Sequence, residues 1–315
     1  MANKKIIAVT GATGAQGGGL ARAILNDKNS EFTVRAITRN PESEKAQALK
    51  KAGAELVQAD IDQPESLQKA LEGAYGAYFV TFFWEHLSPE KEINEAKIMA
   101  QAAKNAGLKH VIWSTLEDTR QWVPLNDNRM PTLMEKYKVP HLDAKGESNH
   151  FFTDLNVPTT FLYTSFYWEN FIYFGMDPQK ESDGTFSITL PMGNKKLAGI
   201  SSEDIGKCAY EIFKKGPEMI GKSVGIAGGH LTGTQMADAF TKVLGKKVVY
   251  HEIKPDVYRS LNFPSAPELG NMFQFFSDFD DQVCARRDLE FTKFLNPELV
   301  DFNTWINQHK ASFPV

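Results

Sequence analysis

Gly11, Gly14 and Gly17 follow directly on an apolar, β-branched run from Lys4 to Thr10 and precede a helical pattern from Leu20 to Leu25. Glycines spaced G-x-x-G-x-x-G between a strand and a helix can hold a pyrophosphate. Gly11 permits the sharp turn, Gly14 leaves room for phosphate against the backbone, and Gly17 lets the helix pack close to the strand. The amides around Ala12, Thr13, Ala15 and Gln16 then lie at the positive end of the helix dipole. The spacing differs from the dehydrogenase form G-x-G-x-x-G, and the competing reading is a tight turn with no ligand. The placement between a strand and a helix favours the phosphate.

A second group selects the dinucleotide. NAD sites place a carboxylate at the end of the second strand to bind the ribose hydroxyls. Here that end reads Ile37-Thr38-Arg39-Asn40-Pro41, without a carboxylate. A guanidinium at Arg39, with Asn40 beside it, suits a 2′-phosphate, which it can meet with two parallel hydrogen bonds. The expected cofactor is therefore NADP(H) rather than NAD(H); the alternative is a solvated surface arginine. Asp60 and Ile61 follow the third strand, where an adenine edge is expected, and Asp60 reads otherwise as a turn residue.

A third group could move a proton. His141 and Lys145 are four residues apart on a helix that Pro140 opens, so both point the same way. An imidazole transfers protons near neutral pH, which makes acid catalysis chemically open to His141. Tyr137 precedes His141 by the same interval, but Pro140 disfavours a helix running through it, so Tyr137 is expected in a loop. Ser114 or Thr115 could hydrogen-bond a ligand or simply cap a strand. Phe82, Phe83, Trp84, Tyr167 and Trp168 could line an apolar pocket; for Trp84 and Trp168 core packing fits equally well. Phe273, Phe275, Phe276 and Phe279 read as a core or partner stripe. Glu169 is expected to hydrogen-bond across a domain junction. His86, His150, His230 and His251 have no ligand spacing, and no metal is assigned.

These groups need a scaffold. Strands are expected at 32–38, 55–57, 77–80, 110–114 and 159–163, alternating with helices at 42–51, 64–71, 89–106 and 140–155. That alternation predicts an α/β fold, a Rossmann-type doubly wound parallel sheet with helices on both faces. Residues 117–139 interrupt the rhythm and read as a functional loop or flap. After Ser165 the pattern changes to a smaller mixed α+β domain. It includes a seemingly isolated strand at 184–191 and a capping-box helix from Thr232 and Gln235. The expected domains are 1–165, with 200–228 returning to the sheet, and 166–199 with 229–315. The smaller one is expected at the C-terminal ends of the strands.

The chain has 315 residues, 42% hydrophobic and 23% charged, with net charge -4. This balance favours neither nucleic acid nor an anionic membrane. Two distant cysteines, Cys208 and Cys284, suggest free thiols in a reducing compartment. No apolar run is long enough to span a bilayer and no signal peptide is read, so a cytoplasmic or nuclear location is expected.

Taken together these residues resemble the NmrA-like family, an atypical branch of the short-chain dehydrogenase/reductases. The resemblance is carried by Gly11 to Gly18, Thr38 to Pro41, Val80 to Glu85, His141 to Glu147 and Tyr167 to Asn170. Asn271 to Phe276 and Trp305 to Lys310 add to it, and the chain looks most similar to the NADP(H)-sensor members. The resemblance implies that Gly11 to Gln16, Arg39 and Asp60 hold NADP(H), with Thr81, Phe82 and Phe83 beside it. It implies that Lys145 reaches the nicotinamide ribose and that Tyr167, Trp168, Glu169 and Asn170 flank the nicotinamide. Sensor members carry extra basic residues past Arg39, where this chain has Glu42, Ser43 and Glu44. Active reductases of the superfamily carry Tyr where His141 stands. The resemblance therefore implies a cofactor sensor with little reductase activity. The alternatives are an NADPH-dependent reductase of an apolar carbonyl, enone or quinone, or a cofactor-binding oligomeric scaffold. The expected partner is a regulatory protein or a small apolar substrate, and the expected state a monomer or homodimer.

Overall fold

A computed structural model describes residues 4–313. Its contacts divide the chain into two units. One comprises residues 1–118, 141–163 and 202–224; the other comprises 119–140, 164–201 and 225–315. Residues 1–3 and 314–315 lie outside the described part.

The first unit is built on strands β1 (Lys5–Val9), β2 (Phe32–Thr38), β3 (Glu55–Gln58), β4 (Gly76–Phe79), β5 (His110–Thr115) and β6 (Thr159–Tyr163). The sheet order is β6-β5-β4-β1-β2-β3, with Ser223–Gly225 added beyond β6 as a seventh strand. All pairs from β6 to β3 are parallel. The order reverses between β1 and β4, and ligands of open α/β sheets bind where the order reverses. Every residue of β4 and β5 is buried, as two-sided cover requires.

Helices α1 (Ala15–Asn26), α2 (Glu44–Lys51), α3 (Pro64–Leu71), α4 (Phe83–His86), α5 (Pro89–Ala106) and α6 (Pro140–Glu147) connect these strands or follow them. The long α5 starts at a Ser88 cap with Pro89 behind it and stops at Gly107, whose φ is +63°. Its buried face combines Ala96, Met99, Ala100 and Ala103 with two carboxylates, Glu92 and Glu95. The expected helix at 140–155 is two helices, α6 and Asn149–Asp154, parted at Ser148. Ser202–Lys215 returns to this unit and packs against α1. A Cβ at Gly206 would stand 2.1 Å from the Leu20 nitrogen, so only glycine permits that approach.

The second unit holds two three-stranded sheets. One orders Gly229–Leu231, Leu197–Ile200 and Phe166–Tyr167; the other orders Val248–Glu252, Phe186–Leu190 and Gln179–Lys180. The strand expected to stand alone is thus the centre of a sheet: Phe186–Leu190 pairs parallel with 248–252 and antiparallel with 179–180. Those partners are distant or very short in sequence, which hid the pairing. The Thr232–Gln235 capping box forms as expected.

Residues 119–140 belong to this second unit; of the two readings of 117–139, loop or flap, the structure shows a packed loop. Val123, Met130, Tyr137 and Val139 are buried. The buried Lys138 ammonium donates to the Asp127 and Met130 carbonyls at 2.8 and 2.7 Å. Asn271 donates to the carbonyls of Pro131 and Lys138. Backbone acceptors satisfied by two buried side chains hold the segment without regular structure. Tyr137 lies in a tight turn against Leu133, as its loop reading requires. The Phe273–Phe279 stripe is core: Phe275 and Phe279 pack on Trp122, and Phe273 packs on Phe166.

Candidate functional site

The glycine turn has the geometry that a phosphate cradle needs. Gly11 has φ +60°, a left-handed conformation that side chains disfavour. A Cβ at Gly17 would lie 2.5 Å from the Gly11 carbonyl oxygen and 2.6 Å from that of Thr10. Any side chain there would push α1 off β1. The N-cap of α1 is Gly14, which offers no side-chain cap to the first-turn amides, and the first turn holds no acidic residue. An exogenous anion suits such a helix start. The Gln16 side chain is buried beneath the turn, where its Oε1 accepts from the hydroxyls of Tyr78 and Ser114. Ser114 therefore braces the turn from the end of β5. Ala12 is buried in the turn, while Thr13 and Ala15 lie closer to its surface.

Arg39 follows β2 and is well exposed. One guanidinium nitrogen donates to Glu85 Oε1 at 2.7 Å, and the guanidinium carbon lies 5.8 Å from the Phe82 ring. Asn40 caps the local turn by accepting from the Glu42 amide. Asp60 closes an Asx turn on Asp62 while its own amide donates to Ser66. Ile61 belongs to the apolar core between the sheet and α3 and α5, so packing accounts for its side chain.

A buried ionic cluster lies behind the loop that follows β4. Lys145 on α6 pairs with Glu92 Oε1 at 2.7 Å. The Thr81 hydroxyl donates to the same Glu92 oxygen and accepts from the Lys145 ammonium. Thr115 anchors α6 to β5 by donating to the Lys145 carbonyl and to Asn149. Glu92 is fully buried, and Lys145 and Thr81 are nearly so. Next to this pair, His86 Nε2 lies 3.7 Å from Glu95 Oε1 and 4.0 Å from Glu92 Oε2. Burial and the Glu92 charge push the Glu95 carboxyl up to about 7, and burial pushes the His86 imidazole below its usual range. Among the described residues, His86 Nε2, Glu92 Oε2 and Glu95 Oε2 find no hydrogen-bond partner. Glu85, Glu92, Glu95 and His86 were not expected from the sequence. The signal available was the pair Glu92 and Glu95 on the otherwise apolar face of α5.

His141 is buried at the start of α6, with ring centroids 4.9 Å from Trp84 and 5.6 Å from Phe83. Phe83 is buried and meets Trp84 edge-on at 5.3 Å. Trp84 is 43% exposed and lines the surface over His141 instead of packing in a core. The i, i+4 spacing thus brings His141 and Lys145 onto one helix face with Thr81 and Phe83 nearby.

The remaining expected residues lie in the second unit. Tyr167 is half-buried in the strand Phe166–Tyr167, and Asn170 starts the helix Asn170–Tyr173. Trp168 is a core residue of this unit, not a pocket wall. It packs on Phe302 and Trp305, and Gly199 leaves space for its indole. Glu169 accepts from Ser201 and from the Trp305 indole, both in its own unit. Among the described residues, no group of three or more His, Cys, Asp or Glu has metal-binding geometry, and no helix is long and apolar enough to cross a membrane.

Comparisons with known proteins agree with the fold. The model of the NmrA-like family matches residues 3–306. An NmrA-like family domain-containing protein of Dictyostelium discoideum is 33% identical over 287 residues, 88% of each chain. The NmrA-like family domain-containing oxidoreductase FrzB of a Cladobotryum species is 31% identical, covering 86% of this chain and 83% of its own length. The fold superposes on NmrA, a negative transcriptional regulator solved with NADP. The TM-score is 0.79 at 24% identity, over 97% of this chain and 95% of that one. By the family match across nearly its whole length and by these relatives, the chain belongs to the NmrA-like family.

Proposed function

We propose that the chain is an NADP(H)-binding regulator with little reductase activity, acting in the cytoplasm or nucleus on a protein partner that distinguishes its bound and free states. The observation that carries this reading is the pairing of the tight Gly11–Gly17 turn at the start of α1 with an acid position that lacks the superfamily tyrosine. The turn at Gly11–Gln16 would receive the pyrophosphate, and Arg39 would offer a guanidinium to a 2′-phosphate. Asn40, Asp60, Thr81, Phe82 and Phe83 complete this side, and Lys145 would hold a ribose hydroxyl. At the acid position the superfamily phenol is replaced by His141, enclosed by Phe83 and Trp84. Lys145 is already neutralised by Glu92. Regulation requires the partner to bind the two states with different affinity. The test is partner capture from the apo protein and from protein saturated with NADPH. A differential supports the reading; equal capture rejects it.

A second reading, a reductase of an apolar carbonyl, enone or quinone, draws on the oxidoreductase naming of relatives such as FrzB. NADPH, when bound, supplies hydride. His141 would give a proton to the substrate oxygen, and Lys145, held by Thr81 and Glu92, would orient the ribose. A quinone and enone panel with wild type and His141→Ala separates the two readings. A tenfold loss of NADPH oxidation supports the reductase; turnover at background in both proteins supports the regulator.

A further inference from the structure

We propose that Glu85 sets the preference between phosphorylated and unphosphorylated dinucleotide, by occupying Arg39 in the free protein. This rests on the reading that Arg39 receives a 2′-phosphate. Arg39 uses one nitrogen on Glu85, at 2.7 Å, and both side chains are more than half exposed. An exposed single-pronged ion pair is weak, worth no more than about fivefold in an equilibrium, so it holds the guanidinium without locking it. A phosphate dianion can engage a guanidinium through two parallel charge-assisted bonds and displace a lone carboxylate. A dinucleotide with a free 2′-hydroxyl has no charge with which to do so, and leaves Glu85 in place.

The position of Glu85 gives this exchange a consequence. It belongs to α4, the same turn that carries Phe83 and Trp84 against the His141 ring. Phe82, the N-cap of α4, lies under the Arg39 guanidinium. Loss of the Arg39–Glu85 pair therefore releases one anchor of the segment that covers His141. The 2′-phosphate is read twice: once as affinity, and once as the freedom of α4.

The experiment is calorimetric titration of NADPH and NADH into wild type, Glu85→Gln, Arg39→Ala and the double variant, with Trp84 fluorescence as a second readout. Glu85→Gln is expected to tighten NADPH and raise the ratio Kd(NADH)/Kd(NADPH) about twofold to fivefold. In the Arg39→Ala background the same change is expected to move the ratio less than twofold. NADPH, and not NADH, is expected to change the fluorescence of wild type, and a Trp84→Phe variant should lose that change. If wild type prefers NADPH but Glu85→Gln leaves the ratio unaltered, the role of Glu85 is overturned while the cofactor reading stands. If the Glu85→Gln gain persists in full without Arg39, Glu85 does not act through Arg39. If wild type binds neither dinucleotide, the cofactor reading and this inference fall together.

Discussion

Lys145 Nζ lies 2.7 Å from the Oε1 of Glu92, a carboxylate with no solvent exposure. Each ion is the other's counter-charge in a place where neither could stand alone. A buried pair of this kind contributes little net stability over an apolar substitute, yet breaking it is costly. Glu92→Gln is therefore expected to destabilise the protein by about 3 kcal/mol. Adding Lys145→Met should recover much of that loss. Urea denaturation of both variants decides it. A single variant that unfolds like wild type would mean that the pair is not held as described.

Glu95 makes stability fall with rising pH. Its carboxyl is pushed up to about 7 in the folded protein from an ordinary 4.5. The folded state thus binds a proton that the unfolded state has already released, and stability is lost as pH rises from about 4.5 to about 7. Glu95→Gln removes this contribution. The variant should match wild type near pH 4.5 and exceed it by roughly 2–3 kcal/mol at pH 8. Thermal melts across that range check the sign; a variant equally stable at every pH, relative to wild type, would contradict it.

Gly17 tests the cradle. Its absent Cβ would stand within 2.6 Å of two carbonyl oxygens. Gly17→Ala is expected to cost about 1–3 kcal/mol by forcing α1 from β1. Dinucleotide affinity should fall at least tenfold in the fraction that folds, because the first-turn amides move with the helix. Circular dichroism melts with NADPH titration measure both effects. Unchanged binding in a folded variant would separate the turn from the cofactor.

Much of this was legible in the sequence because the relevant signals are local. The glycine turn, the strand-helix alternation and the cap at Thr232 each rest on a few neighbouring residues. Strand β2 runs over Phe32–Thr38 and β6 over Thr159–Tyr163, the same spans that the apolar runs mark. The misses concern contacts between distant residues. Nothing near Lys138 announces that Asn271 accounts for its carbonyl, and nothing near Phe186 announces Val248. Trp168 and Trp84 carried the same two readings in the sequence and take opposite settings, because exposure of an aromatic depends on what packs over it and not on its neighbours in sequence. Glu92 and Glu95 were missed because a carboxylate on a helix reads as solvated until the opposite face is known to be exposed.

Trp84 should matter to the site and little to the fold. It is 43% exposed, and its ring packs on those of Phe83 and His141. Trp84→Ala is expected to change stability by less than about 1 kcal/mol. It should alter the His141 imidazole resonances, which NMR at one fixed pH detects. A large stability loss would make it a core residue after all.

The account depends on a guanidinium reading a phosphate, and the most direct measurement is the affinity of Arg39→Ala for NADPH and NADH. Loss of a charge-assisted contact predicts that Kd for NADPH rises about tenfold or more, while Kd for NADH changes less than twofold. Equal discrimination by wild type and Arg39→Ala would contradict the account.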